Sequence, residues 1–286
     1  MNALKKVLLL AFAFPFLAHS QNLPSKQSLA LAIPVDSKID GTTTEWHDQF
    51  QAYNKGMELF YTIANDDKNI YLAIQATNPR VVQKLVRGGV SFLLSATGKK
   101  DDYNGIIYPL MANEITHHAL VDVAVMPDVF SEPQAKTLAK DTLLGMANKL
   151  IQENMKEIKV IGMPAVTDTI VGVLTEKRGH FVRLPLFYQP GKYIPVNNVY
   201  GIRTAMQFKA SGIITGELII PLKLLGITND TKKLNYKIVV NGLMDNSGHI
   251  APGVVVTERR VNGAIVDPDA DLNSPTDFEG EYTLKK

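Results

Sequence analysis

The residues offering the most chemistry in a short stretch are Asp267-Pro268-Asp269-Ala270-Asp271-Leu272-Asn273. Side-chain oxygens at every second position suit a hard cation, calcium above all. Asp267, Asp269 and Asp271 are therefore the candidate metal ligands. The run is not an EF-hand loop, because Leu272 stands where the sixth position needs glycine and Glu279 falls one place beyond the bidentate position. A solvated acidic turn accounts for the same residues. Asp66 and Asp67 form a second acidic pair, which a hairpin tip explains.

Beyond residue 20 the histidines are His47, His117, His118, His180 and His249. Adjacent His117 and His118 on a strand face opposite sides and chelate one metal poorly. Glu114-x-x-His117 lacks the second histidine of a zincin helix. The absence of cysteine removes disulfides, thiolate zinc sites, iron–sulfur clusters and every cysteine nucleophile. There is no G-x-S-x-G elbow, P-loop or dinucleotide fingerprint. Any two acids can converge in space, so a pair of hydrolytic carboxylates stays open. No spacing selects one, and the chain reads as a binding protein with no assigned catalytic residue.

Charge and targeting narrow the class further. Lys5 and Lys6 precede an apolar stretch from Val7 to Leu17, too short to span a bilayer, and Ala18-His19-Ser20 follows with small residues at a cleavage site. Residues 1–20 are expected to be a signal peptide, a short membrane anchor being the alternative. The mature chain would start at Gln21 and be exported, to a periplasm or the extracellular space. Without Lys5 and Lys6 the formal charge of +2 falls to zero. A neutral chain without a basic run is a poor binder of nucleic acid. No later apolar run is long enough for a membrane helix.

The elements that must position these residues read mostly as strands. Met57–Ala64 and Asn69–Thr77 flank Asn65-Asp66-Asp67-Lys68-Asn69, a hairpin pattern. Ile70, Leu72, Ile74 and Ala76 share one face at period two. Further expected strands are Val90–Ala96, Ile115–Val125, Thr169–Thr175, Phe181–Leu184, Arg203–Phe208, Ile213–Ile220, Tyr236–Asn241, Val254–Arg259 and Gly280–Leu284. Ser131-Glu132-Pro133-Gln134 is a capping box. Leu143, Ala147, Leu150, Ile151 and Ile158 then predict an amphipathic helix from Glu132 to about Glu157. Its mixed-charge polar face favours packing on the sandwich or over a sheet edge, with a membrane-surface or partner-binding helix as the alternative. The expected fold is all-β, an antiparallel immunoglobulin-like β-sandwich with one inserted amphipathic α-helix. It would occupy residues 35–286 as one domain, after an N-terminal extension at 21–34.

Several motifs, in order, resemble family 9 carbohydrate-binding modules and their DOMON-like relatives. They are Ile39-Asp40-Gly41 with Glu45-Trp46, the hairpin segment Asn65 to Ala73, and Gly216-Glu217-Leu218-Ile219-Ile220-Pro221-Leu222-Lys223-Leu224-Leu225-Gly226. Asn235–Gly242 and Phe278–Leu284 are similar to the family's last strands. Asp40-Gly41 suits a turn, Pro221 a strand end, and Leu224 and Leu225 a plug at one end of the sandwich. Trp46 is expected to anchor a core rather than to serve as a sugar platform.

The resemblance implies carbohydrate recognition by stacked aromatic rings, calcium in parts of the family, and b-type haem in some relatives. With one tryptophan, tyrosines must supply the rings. Phe187, Tyr188, Tyr193 and Tyr200 form an aromatic cluster of loop composition, with Arg183 or Arg203 beside it. Arg183, Tyr188, Tyr193 and Tyr200 are the candidate ligand-binding residues. Haem b would need a methionine among Met57, Met111, Met126, Met163, Met206 and Met244, with His118 or His180. An envelope protein is the alternative partner, met through the helix or an open sheet edge.

Overall fold

The computed structural model describes residues 23–27, 29–97, 99, 102–110, 140–167, 192–210, 212–228, 230–242, 259–261, 264–266 and 270–285. Two antiparallel sheets make a β-sandwich. The five-stranded sheet runs β1 (Ala52–Asn54), β2 (Leu59–Asn65), β3 (Asn69–Ala76), β9 (Ile213–Pro221), β8 (Arg203–Ala210). The six-stranded sheet runs β13 (Thr276–Thr283), β10 (Lys233–Val240), β4 (Val90–Ser95), β5 (Asn104–Tyr108), β6 (Glu157–Ile161), β7 (Lys192–Pro195). A small ribbon joins β11 (Arg259–Val261) to β12 (Ala264–Val266).

Period-two alternation sets which residues enter the core. Ile70, Leu72, Ile74 and Ala76 of β3 pack inward with Leu59, Tyr61 and Ile63 of β2 and Ile214, Leu218 and Ile220 of β9. Phe92, Ile106, Ile158, Val160, Ile194 and Ile238 meet them from the other sheet. Asp66 Oδ1 accepts from the N–H groups of Lys68 and Asn69 at 2.7 and 2.6 Å, which closes the β2–β3 hairpin. β9 stops at Pro221, and Leu222, Leu224 and Leu225 of the turn that follows are buried in the main core.

Among the described residues three α-helices accompany the sheets: α1 (Pro79–Gly88), α2 (Lys140–Asn154) and a short α3 (Ala270–Asn273). α1 has no counterpart in the sequence reading. Asn78 caps it by accepting from the Arg80 N–H at 2.8 Å, with Pro79 opening the first turn. α2 ends at Asn154, short of Glu157, and Ile158 belongs to β6, where it pairs with Ile194. Ala147 and Ile151 are buried as expected, and α2 covers the edge strand β8: the Asn148 carboxamide accepts from Phe208 N–H at 2.7 Å and donates to Phe208 C=O at 2.9 Å. Tyr193 and Pro195 lie on β7 rather than in a loop, since proline is tolerated on an edge strand. The capping box, the expected strands at 115–125, 169–175 and 181–184, and residues 254–258 lie outside the described residues, as does the leader at 1–20. Among the described residues no helix is long and apolar enough to cross a membrane.

Candidate functional site

Among the described residues each of the two main sheets carries one buried charge on the face turned away from the core. On the five-stranded sheet it is Glu217 of β9, fully buried between Ala73 of β3 and Ala205 of β8. Its Oε1 accepts from the Tyr71 hydroxyl at 2.5 Å, and its Oε2 from the backbone N–H groups of Asp40 and Gly41 at 3.0 and 2.8 Å. Tyr71 lies diagonally across the strand pair, within reach of a long side chain. Trp46 stacks on Tyr71 with ring centroids 5.3 Å apart and donates from Nε1 to its oxygen at 3.0 Å. Thr215 Oγ1 donates to Gly41 C=O at 2.6 Å, so Gly41 is held at both backbone groups. Its φ of +88° and the Met206 carbonyl carbon 3.0 Å from where a Cβ would sit require glycine here.

Phe50, Ala64, Tyr71 and Ala73, with Ile39, Trp46 and Phe60 against them, make a second apolar cluster over this face. Burial is the main cause that raises the Glu217 carboxyl to about 7, against the pull of Tyr71 and the two N–H donors. Burial, with the Glu217 charge beside it, raises the Tyr71 phenol. The residues at the head of the chain and those of β9 thus meet in one closed network, and Trp46 anchors it.

The six-stranded sheet carries Lys159 of β6, 4 % exposed. Ile158 and Val160 face the core, so Lys159 points the other way, in register with Ile107 on β5 and Tyr193 on β7. Ser91 of β4 extends the row next to Ile107, and its hydroxyl bonds Asn241 Oδ1 at 3.0 Å. Burial alone pushes the Lys159 ammonium down to about 8. The sequence reading passed over Lys159, although a lysine inside Ile158-Lys159-Val160-Ile161 is the signal of a charge within a strand.

Of the candidate ligand-binding residues, Arg183 and Tyr188 lie outside the described residues. Tyr193 is half-buried on the outer face of β7. Tyr200 packs against the main core, and its hydroxyl accepts from Thr167 N–H at 3.0 Å, so the two rings serve different surfaces. Arg203 starts β8, on the other sheet.

Asp267 and Asp269 also lie outside the described residues. Asp271 opens into α3, and both its oxygens accept from the Arg80 guanidinium, a pairing that holds its carboxyl below the usual range. Lys84, 5 % exposed and lowered by burial, donates to Thr276 Oγ1 at 3.0 Å nearby. Among the described residues no three acids or histidines group as a metal site. Met57, Met163 and Met206 are buried in the main core. Met111, Met126, Met244, His117, His118, His180 and His249 lie outside the described residues. No protein-family profile, curated protein or solved structure matches the chain.

Proposed function

We propose that the chain is an exported, non-catalytic binding module that recognises a carbohydrate on the outer face of the six-stranded sheet. The observation that supports this reading is Tyr193, half-buried on the outer face of the edge strand β7. A phenol ring offers an apolar face to sugar C–H groups, the stacking contact a pyranose asks for. Export rests on the leader-like pattern at 1–20, and calcium on the alternating acids at 267–271. The motifs that resemble sugar-binding modules point the same way.

The test is binding of residues 21–286 to a panel of soluble and insoluble polysaccharides, with calcium and with chelator. One glycan class is expected to bind, and Tyr193→Ala is expected to weaken it at least about tenfold, the loss of one good stacking contact. A Tyr200→Phe variant, which keeps the ring and drops only the hydroxyl, is expected to bind as the parent does. Binding by none of the glycans, or equal binding by Tyr193→Ala, overturns the reading. Loss under chelator assigns calcium to it.

A further inference from the structure

Four strand edges bound the two main sheets, and three are closed by recognisable means. At the β1–β2 edge Pro24 C=O accepts from Tyr53 N–H at 2.9 Å. Past the end of β1 the Gln27 carboxamide pairs with both backbone groups of Ile63, at 2.7 and 2.6 Å. Leu31 and Ile33 then bond the backbone of Asn65. At the β8 edge Asn148 does for Phe208 what Gln27 does for Ile63. β7 is only four residues long and contains Pro195, which has no N–H to offer.

β13 is different. It pairs with β10 over eight residues in unbroken register, and among the described residues nothing pairs with its other side. Its outward row is acidic: Asp277, Glu279 and Glu281, with side chains 45 %, 57 % and 56 % exposed. Lys237 meets Asp277 and Glu279 at 2.7 and 3.2 Å, and Lys233 meets Glu281 at 2.5 Å, all from the β10 side. The inward row holds Phe278, half-buried, with its ring 5.1 Å from Tyr61 and 5.9 Å from Tyr236 at the mouth of the sandwich.

We propose that β13 takes up an extended segment of a partner protein that carries lysine or arginine at alternate positions and apolar side chains between them. An unpaired strand edge is a template for one more strand, with backbone bonds supplying affinity and alternate side chains the selectivity. The outer row decides which strand fits. A second copy of β13 pairing face for face sets carboxylate against carboxylate, which is destabilising, whereas a basic row meets three acids whose second sides are open to solvent. The inner row of that segment extends the core over Phe278. This site stands apart from the saccharide reading, because β13 and β7 are opposite ends of the same sheet.

The experiment titrates a synthetic amidated peptide, Lys-Val-Lys-Val-Lys-Val, into the full chain, with affinity read by anisotropy and backbone protection by hydrogen exchange. Slowed exchange is expected in residues 276–283, while a Glu-Val peptide of equal length binds at least about tenfold more weakly. The triple variant D277N/E279Q/E281Q, which keeps side-chain size, is expected to lose that preference. Sedimentation of the chain alone is expected to show no association through this edge. The proposal is overturned by unchanged exchange in β13, by equal binding of the acidic peptide to the unaltered chain, or by self-association that slows exchange in the same strand.

Discussion

Glu217 and Lys159 occupy comparable places, each mid-strand on the outer side of its sheet, and their surroundings differ in kind. Glu217 is enclosed by the fold's own donors: two backbone N–H groups, a phenol, and an indole one bond further out. Lys159 has burial as the sole cause of its shift, and stands across from an aromatic ring on an edge strand. The first charge ties distant chain segments together. The second stands in register with Ile107 and Tyr193 on the outer side of its sheet. Burial thus favours the neutral form of both groups, and at Glu217 three donors oppose it.

The sharpest way to break the comparison is Glu217→Ala. It strands the Asp40 and Gly41 N–H groups and the Tyr71 hydroxyl in an apolar cover, and is expected to cost about 3–5 kcal/mol in denaturant unfolding. A cost as small as that of a surface substitution refutes the structural role of Glu217.

Titration comes next. Glu217 is raised from 4.5 to about 7, so its contribution to stability is full below 4.5 and is lost as pH rises through 7. Lys159 is lowered from 10.5 to about 8, so its contribution is full above 10.5 and is lost as pH falls through 8. Each amounts to about 3 kcal/mol over its window. The two contributions are thus jointly smallest between about 7 and 8, and unfolding followed across pH should show the sag. Glu217→Gln is expected to flatten the acid side, leaving the alkaline side in place.

Lys159→Met keeps the apolar stem and removes the buried charge. It is expected to raise stability at neutral pH by about 1–2 kcal/mol and to abolish the alkaline rise. Lower stability with the alkaline rise intact sinks the contrast between the two charges. The smallest effect belongs to Trp46→Phe, which keeps the stacked ring and loses the bond to Tyr71. About 1 kcal/mol is the expected loss in thermal or denaturant unfolding.

Much of the five-stranded sheet was legible because its signals are local. The Asp66 turn, the period-two face of β3 and the proline that ends β9 are each decided within a few residues. Asp40-Gly41, Trp46 and Glu217 stood out as motif residues, and the structure gives them one physical purpose. That Tyr71 completes the network depends on a pairing of β3 with β9, which no local pattern encodes. The same limit explains β6. Ile158 falls seven places after Ile151, a helical spacing, yet its partners are Ile194 and the core, both remote in sequence. α1 was overlooked although Asn78-Pro79 is a capping signal and Val81, Val82, Leu85 and Val86 behind it recur at helical spacing. On the six-stranded sheet Tyr193 was found by residue type and its cross-strand neighbour Lys159 was not, since only the register of β6 with β7 joins them.

Asn65 gives the molecule a particular order of completion. Its backbone bonds Leu31 and Ile33, while its side-chain carboxamide grips both backbone groups of Lys285, at 2.8 and 2.9 Å, and accepts from the Tyr282 hydroxyl. A chain leaving the ribosome makes β2 early, yet the groups that close over Asn65 emerge 220 residues later. Closing so long a loop is slow, and no local rearrangement substitutes for the missing partner. The carboxamide of Asn65 therefore waits, through the synthesis of every intervening strand of both sheets, for β13 to arrive.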